Sequence, residues 1–221
     1  MWFIFEVIIL KMNLKNRIII VASGPSLMCF DFDSLPVDIP VLSVNSTILK
    51  LPRVDYWFTL DPSRSNKEIM LNIIPGVKYY AAVPDDYGTN QAKIYQFREP
   101  REYGVMFLKR VEGSGKLGSC YGLSEDINCI HTGNSTYGAL GLAYLLGFKN
   151  ICILGLDAIA GLRWCDDGGT NNFDHLPSLF ESTLTQLKSK NVQVVNGSLY
   201  SAVTCFPRMT PKRAVKWLIR Q

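Results

Sequence analysis

A short turn of small and hydroxyl-bearing residues follows the first strongly apolar run of the chain. Residues 17–22 are rich in β-branched side chains, and Ser23, Gly24, Pro25 and Ser26 come directly after them. Glycine lets a backbone approach a ligand closely, and the amides and hydroxyl beyond it can donate to a phosphate at the start of a helix. The turn therefore predicts a nucleotide site. The alternative is an ordinary strand-to-helix turn in which Ser26 is the N-cap.

Polar side chains also follow the next two apolar runs. Asn45 comes after residues 40–44, and Asp61 comes after residues 56–60. An asparagine at such a position can bind a base or a ribose, and an aspartate can bind a ribose hydroxyl or a metal ion. Each residue is equally suited to capping the helix that follows it. Three successive strand ends with Ser, Asn and Asp nevertheless favour a shared ligand site.

The second half of the chain repeats this pattern. Thr132, Gly133, Asn134 and Ser135 open a helix rich in Gly and Ala at residues 135–146, and Asp157 follows a strand at residues 150–154. Hydroxyls and unpaired backbone amides at a helix N-terminus attract an anion. The alternative is that Asn134 only caps the helix. Asp157 is expected to face the ligand side of the sheet.

His175 is the candidate general base, because a histidine titrates near neutral pH and here follows a loop rich in Gly and Asn. The alternative is a surface histidine with no function, and the same two interpretations apply to His131. The sequence has only these two histidines and six scattered cysteines, with no CxxC pair. This pattern is typical of reduced thiols in a cytoplasmic protein and does not predict a metal site.

The elements that position these residues alternate between strand and helix. Strands are predicted at residues 17–22, 40–44, 56–60, 77–83, 104–108, 150–154 and 192–195. Helices are predicted at residues 63–74, 135–146, 176–190 and 211–220, with long loops at 111–130 and 158–175. The alternation predicts an α/β, Rossmann-like fold with a mostly parallel sheet and helices on both faces. Ligands bind beyond the carboxyl ends of such strands, where the polar residues lie.

The composition suits one domain. The chain has 221 residues, 48% of them hydrophobic, and a net charge of +4. That charge fits an anionic ligand but is too small for a dedicated nucleic-acid binder. Residues 12–221 are predicted to form a single nucleotide-binding domain with a lid at about 158–175. Residues 1–11 are predicted to be a loose extension, too short to span a bilayer, with a membrane-touching anchor as the alternative.

Two stretches together resemble a known Rossmann-like superfamily. They are GPSL at residues 24–27 and TGNSTYGALGLAYLLGFKNICILGLD at residues 132–157. The superfamily contains the bacterial CMP-sialic acid sialyltransferases of the Campylobacter and Haemophilus type. It also contains the DUF115 and 6-hydroxymethylpterin pyrophosphokinase-like proteins. The resemblance covers about residues 16–207 and is specific at the two stretches.

The resemblance implies roles for the residues named above. Gly24, Pro25, Ser26, Asn45, Asp61, Thr132 and Gly133 would bind the cytidine monophosphate part of a nucleotide sugar. His175 falls where those enzymes have the histidine base, in a lid before the penultimate helix. They also use tyrosines after the GID motif to stabilise the departing phosphate. Residues 158–164 here contain no tyrosine, so Arg163 is the candidate for neutralising that phosphate.

Three functions follow as hypotheses. The first is a glycosyltransferase that uses a nucleotide sugar, CMP-linked by the resemblance, with a glycan as a possible acceptor and no metal requirement. The second is a pyrophosphokinase-like enzyme that uses ATP and Mg²⁺, with Asp61 and Asp157 as metal ligands. The third is a nucleotide-binding or assembly protein without catalysis, for instance in a phage or mobile element. Each is compatible with an oligomer, and none requires a transmembrane segment.

Overall fold

The computed structural model describes residues 16–61, 64–84, 104–161, 163–165 and 173–221. Its centre is a sheet of eight parallel strands. They are β1 (Arg17–Val21), β2 (Val41–Val44), β3 (Tyr56–Thr59), β4 (Lys78–Val83), β5 (Val105–Val111), β6 (Cys129–His131), β7 (Asn150–Leu154) and β8 (Gln193–Asn196). The predicted α/β class and parallel sheet are confirmed.

The strand order across the sheet is β6-β5-β4-β3-β2-β1-β7-β8. From β1 the chain therefore builds outward in one direction as far as β6. It then returns to the other side of β1 to form β7 and β8. The reversal places a topological switch point between β1 and β7, and the crevice at the carboxyl ends of two such strands is where open α/β sheets bind their ligands.

Five α-helices cover the sheet among the described residues. They are α1 (Arg64–Leu71), α2 (Ser135–Leu145), α3 (Leu176–Glu181), α4 (Leu184–Ser189) and α5 (Pro211–Ile219). Short 3₁₀ turns follow β1 at Pro25–Leu27 and β2 at Asn45–Leu49. Helices lie on both faces, as predicted.

The side chains of β1 alternate between the two faces of the sheet. Ile18 and Ile20 pack in the hydrophobic cluster that contains the inner face of α2, and Ile19 and Val21 pack in the cluster that contains α5. All four are fully buried. A strand that is buried on both faces must be apolar throughout, which is why a continuous run of Ile and Val forms the centre of this sheet.

Two predicted elements need correction. The loop predicted at residues 111–130 contains β6, and β5 extends to Val111 because Lys109, Arg110 and Val111 pair with that strand. The helix predicted at residues 176–190 is two short helices, α3 and α4. At the break, the Thr183 hydroxyl donates to the Phe180 carbonyl. Such side-chain bonds to the local backbone compete with the helical ladder.

Some predictions fall on residues outside the description. These are the extension at residues 1–11 and, in the lid, residue 162 and residues 166–172. Within the described parts of the chain, no helix is long and apolar enough to cross a membrane. The six cysteines are all described, and no disulfide joins any two of them.

Candidate functional site

A small cavity lies at the switch point, beyond the carboxyl ends of β1 and β7. Its volume is about 50 Å³, which suits a phosphate-sized group rather than the 300 Å³ or more of a typical ligand pocket. Residues from the turn after β1, the start of α2, the turn after β7 and the predicted lid line it. Those with polar or charged side chains are Ser23, Asn134, Thr136, Asp157 and Arg163.

The turns after β1 and β7 touch at their glycines. The Gly24 amide donates to the Gly155 carbonyl at 3.0 Å. A Cβ on Gly24 would lie 2.3 Å from that carbonyl oxygen and 2.4 Å from Asp157 Oδ2. Gly155 has a φ of +75°, which favours glycine. Gly24 is therefore required by the close approach of the neighbouring turn.

Asp157 is the most buried charged group of the cavity, with 3% of its surface exposed. Its Oδ2 accepts a hydrogen bond from the Ser26 amide at 2.7 Å. Its Oδ1 is buried and has no hydrogen-bond partner among the described residues. A buried carboxylate oxygen without a partner is costly, so this atom is available to a donor from a ligand.

The position of Asp157 limits how the turn after β1 can bind a phosphate. The Ser26 amide already donates to this carboxylate, and Pro25–Leu27 is a 3₁₀ turn of three residues rather than the start of an α-helix. A phosphate at Ser26 would have to displace a negative charge, and no helix dipole would attract it there. The Ser23–Ser26 turn therefore lines the site through Ser23, Gly24 and Pro25.

The N-terminus of α2 is the anion-attracting element beside the cavity. Asn134 is its N-cap, and its Oδ1 accepts from the Tyr137 amide at 3.0 Å. Asn134 and Thr136 both line the cavity. The positive end of an eleven-residue helix thus points toward the site. The predicted cap at Asn134 and the predicted ligand contact are both compatible with this geometry.

The loop that carries Arg163 is held against the sheet by the residue that follows it. Trp164 donates from Nε1 to the Ala22 carbonyl at 2.8 Å and from its amide to the Ser23 carbonyl at 3.2 Å. Its ring stacks on Phe32 at 4.5 Å between centroids. These contacts fix the backbone beside Arg163, which lines the cavity together with Asp157. Among the described residues, the lining therefore includes one basic and one acidic residue.

Asn45 and Asp61 belong to a different polar cluster, at the ends of β2 and β3. The Asn66 side chain donates to Asn45 Oδ1 at 3.4 Å and to the Asp61 carbonyl at 2.5 Å. It also donates to Thr59 Oγ1. Asn45 has a φ of 54°, which Asn tolerates better than most residues. Neither Asn45 nor Asp61 lines the cavity.

Three other predicted residues also lie outside the lining and have structural contacts. Gly133 packs under Leu179, whose Cδ2 would lie 2.3 Å from an added Cβ. The Ser135 hydroxyl accepts from the Leu60 amide at 3.4 Å. The Thr132 amide donates to the Val111 carbonyl at 2.8 Å, whereas its buried hydroxyl has no hydrogen-bond partner among the described residues.

His175 immediately precedes α3 but does not line the cavity, although its neighbour Leu176 does. Its side chain is 9% exposed, and neither ring nitrogen has a hydrogen-bond partner among the described residues. Burial lowers the pKa of His175 below its ordinary value of 6.5, Asp174 opposes this shift, and Lys116 adds to it. The imidazole is therefore neutral near pH 7, as a base must be.

Sequence reasoning missed Thr136, Phe173 and Trp164. Thr136 and Phe173 line the cavity, and Trp164 fixes the loop that carries Arg163. The sequence did contain a signal for Thr136, since this residue lies in the first turn of a helix whose cap was identified. The positions of the two aromatic residues depend on the path of the loop, which no local pattern reveals.

Comparison of the chain with models of known protein families, with curated proteins and with solved structures gives no significant match.

Proposed function

We propose that this chain binds a nucleotide at the switch point and is a nucleotide-sugar-dependent glycosyltransferase. One observation carries the proposal. A cavity between the ends of β1 and β7 is lined by Arg163, by Asp157 and by the N-terminal residues of α2. A nucleotide offers the matching groups, namely a phosphate, sugar hydroxyls and a flat base.

The charges suggest how such a ligand is oriented. The phosphate is placed near Arg163 and the first turn of α2, where positive charge collects. Asp157 repels a phosphate, so its free Oδ1 accepts instead from a ribose hydroxyl or an amino group. The apolar walls at Ile159, Phe173 and Leu176 are suited to a ring. Because the cavity is small, most of the ligand extends beyond it along these walls.

In the transfer reaction, His175 takes the proton from an acceptor hydroxyl as that oxygen bonds to the anomeric carbon. The bond between the sugar and the nucleotide phosphate breaks, and Arg163 stabilises the phosphate that leaves. The resemblance to bacterial sialyltransferases supports this assignment, with a CMP-linked donor and a glycan acceptor. Since the His175 ring does not line the cavity, the segment at residues 173–176 has to turn toward the ligand for this step.

The binding part is tested by thermal melting with CMP, UMP, GDP and ATP. A ligand that binds only the folded state raises the melting temperature, and the shift grows with the logarithm of ligand concentration divided by dissociation constant. Asp157→Asn and Arg163→Gln are each expected to weaken nucleotide binding about tenfold or more, since each removes a charged hydrogen-bond partner. Lys50→Gln, on an exposed residue away from the cavity, is the control. A panel without any shift would refute the proposal.

The catalytic part is tested by transfer and donor hydrolysis with a panel of nucleotide sugars. His175→Ala is expected to keep nucleotide binding and to lose at least about a hundredfold in rate, the usual contribution of a general base. Full activity in this variant would exclude the mechanism. A wild-type protein that binds nucleotides but neither transfers nor hydrolyses any donor would favour the second candidate, a non-catalytic nucleotide-binding protein. The position of the His175 ring outside the cavity supports that candidate.

The geometry gives less support to a magnesium-dependent pyrophosphokinase. Asp61 follows β3 and Asp157 follows β7, and β2 and β1 lie between those strands. Three strand spacings separate the two positions by roughly 14 Å, whereas one Mg²⁺ binds its oxygen ligands at about 2 Å. Nucleotide binding that requires Mg²⁺ would revive this alternative.

A further inference from the structure

The charges of this chain are distributed unevenly along its length. Residues 182–221 contain seven Lys and Arg residues and no Asp or Glu. The preceding 181 residues contain sixteen Lys and Arg residues and nineteen Asp and Glu residues. The net charge of +4 therefore conceals a strongly basic C-terminal part joined to a weakly acidic remainder.

Helix α5 presents most of this charge on one side. Lys212, Arg213, Lys216 and Arg220 are all exposed. At 100° per residue they fall within an arc of about 100°. The opposite side of the helix, Ala214, Val215 and Leu218, is buried in the core. The cations thus form a continuous exposed stripe along a helix that the core holds in place, which we call the basic stripe.

The four cations of the basic stripe make no ion pair or side-chain hydrogen bond with any described residue. Arg17, which contacts the end of the helix, forms its own ion pair with Asp38 at 3.3 Å. Asp31 and Asp33 lie on a segment whose Phe30 and Phe32 pack in the same cluster as α5. None of these three acids forms an ion pair with a cation of the stripe.

Apolar groups flank the basic stripe. Ile219 is 50% exposed on one side of the arc, and Trp217 is half-buried on the other. The chain also enters β1 at the C-terminal end of α5, since Arg17 Nη1 donates to the Ile219 carbonyl at 3.1 Å. Apolar surface therefore borders the positive charge on both sides of the arc.

We propose that the basic stripe of α5 is a docking surface for an anionic lipid membrane, to which the protein binds peripherally. Exposed cations gain free energy at an anionic bilayer surface, and stable attachment needs a second, apolar contribution. Ile219 and Trp217 supply that contribution. A nucleic acid would use the cations alone, so the apolar flanks favour the lipid surface. The stripe lies apart from the cavity, so this proposal does not depend on the nucleotide.

The test is sedimentation of the full chain with vesicles of phosphatidylcholine alone and with vesicles that contain phosphatidylserine. Binding is expected only to the anionic vesicles, and it should weaken as salt screens the charges. Each removed cation should weaken binding about fivefold. K212Q/K216Q should therefore lose about 30-fold. The control K50Q/K188Q removes two exposed charges from elsewhere and should lose little.

Two further variants separate the contributions. The fourfold variant K212Q/R213Q/K216Q/R220Q should lose more than about 100-fold, and Ile219→Ser should weaken binding without changing its salt dependence. Matching thermal melts establish that both variants are folded. The proposal is overturned if vesicles are not bound or if neutral vesicles bind equally well. It is also overturned if K212Q/K216Q and K50Q/K188Q lose the same affinity for anionic vesicles. The same holds if the stripe variants bind duplex DNA less tightly than the wild type but bind vesicles equally well.

Discussion

Gly24 shows how a residue that resembles a ligand-binding glycine can have a packing role. A Cβ there would lie 2.3 Å from the Gly155 carbonyl oxygen, so a side chain would push apart the turns that form the cavity. Gly24→Ala is expected to lower the free energy of unfolding by about 1–3 kcal/mol. Chemical denaturation measures this change. Ser26→Ala is the matched control, because the Ser26 amide rather than its hydroxyl contacts Asp157, and it should cost less than about 0.5 kcal/mol.

The buried His175 side chain predicts how the stability of the protein depends on pH. Burial lowers the pKa of His175 in the folded protein, so below pH 6.5 the unfolded chain binds the proton more readily. Stability should therefore fall as the pH drops below 6.5 and stop falling below the folded pKa, with a slope of at most about 1.4 kcal/mol per pH unit from this group. At pH 8 the group contributes no pH dependence.

The measurement is urea denaturation of the wild type and His175→Phe between pH 5 and 8. Below pH 6.5 the free energy of unfolding should fall less steeply in the variant than in the wild type. At pH 5.5 the variant should therefore be more stable relative to the wild type than it is at pH 8. NMR titration of the His175 ring should give a pKa below 6.5. An identical slope in the two proteins would contradict the burial argument.

At the scale of elements, α2 contains a matched pair of glycines. A Cβ on Gly138 would lie 2.8 Å from the Phe58 ring on β3, whereas a Cβ on Gly141 would meet nothing closer than 3.9 Å. Gly138→Ala should therefore destabilise the protein by about 1–3 kcal/mol through overpacking. Gly141→Ala should stabilise it by about 0.5–1 kcal/mol, since Ala favours the helix. Equal effects in thermal or urea denaturation would show that α2 does not pack against β3 as described.

The elements found from the sequence were those with a strong local pattern. The buried run at β1 and the capped helix α2 are visible in any short window of sequence. Strand β6 has three residues and exists because it pairs with the end of β5, a contact between segments about twenty residues apart. The break between α3 and α4 depends on side-chain hydrogen bonds of Ser182 and Thr183 that compete with the helix.

The same limit applies to the site. Gly24 and Asp157 were found because parallel strands bring their carboxyl ends to one edge, and Asn134 was found because it opens a capped helix. That rule does not say which strand ends share a cavity, because the choice depends on strand order. Asn45 and Asp61 follow β2 and β3, on one side of β1, whereas the cavity opens on the other side, toward β7.

At the scale of the whole molecule, strand order also predicts how stability is distributed. Strand β1 is paired along its length with β7 and is bordered by β2, and its Ile19, Ile20 and Val21 are fully buried. Their amides should exchange with deuterium only through global unfolding. Strand β6 is short and lies at the edge of the sheet, so its amides should exchange through local opening and much faster.

A bound nucleotide should change this pattern selectively. At a concentration 100 times the dissociation constant, CMP or the best ligand of the panel should slow exchange in β1 by about 100-fold, because global unfolding releases the ligand. Exchange at Gly24, whose amide bridges to Gly155, should slow as well. Amides of β6 should not change, because fraying at that edge leaves the cavity between β1 and β7 intact. Equal protection of β6 and Gly24 would mean that the ligand binds elsewhere.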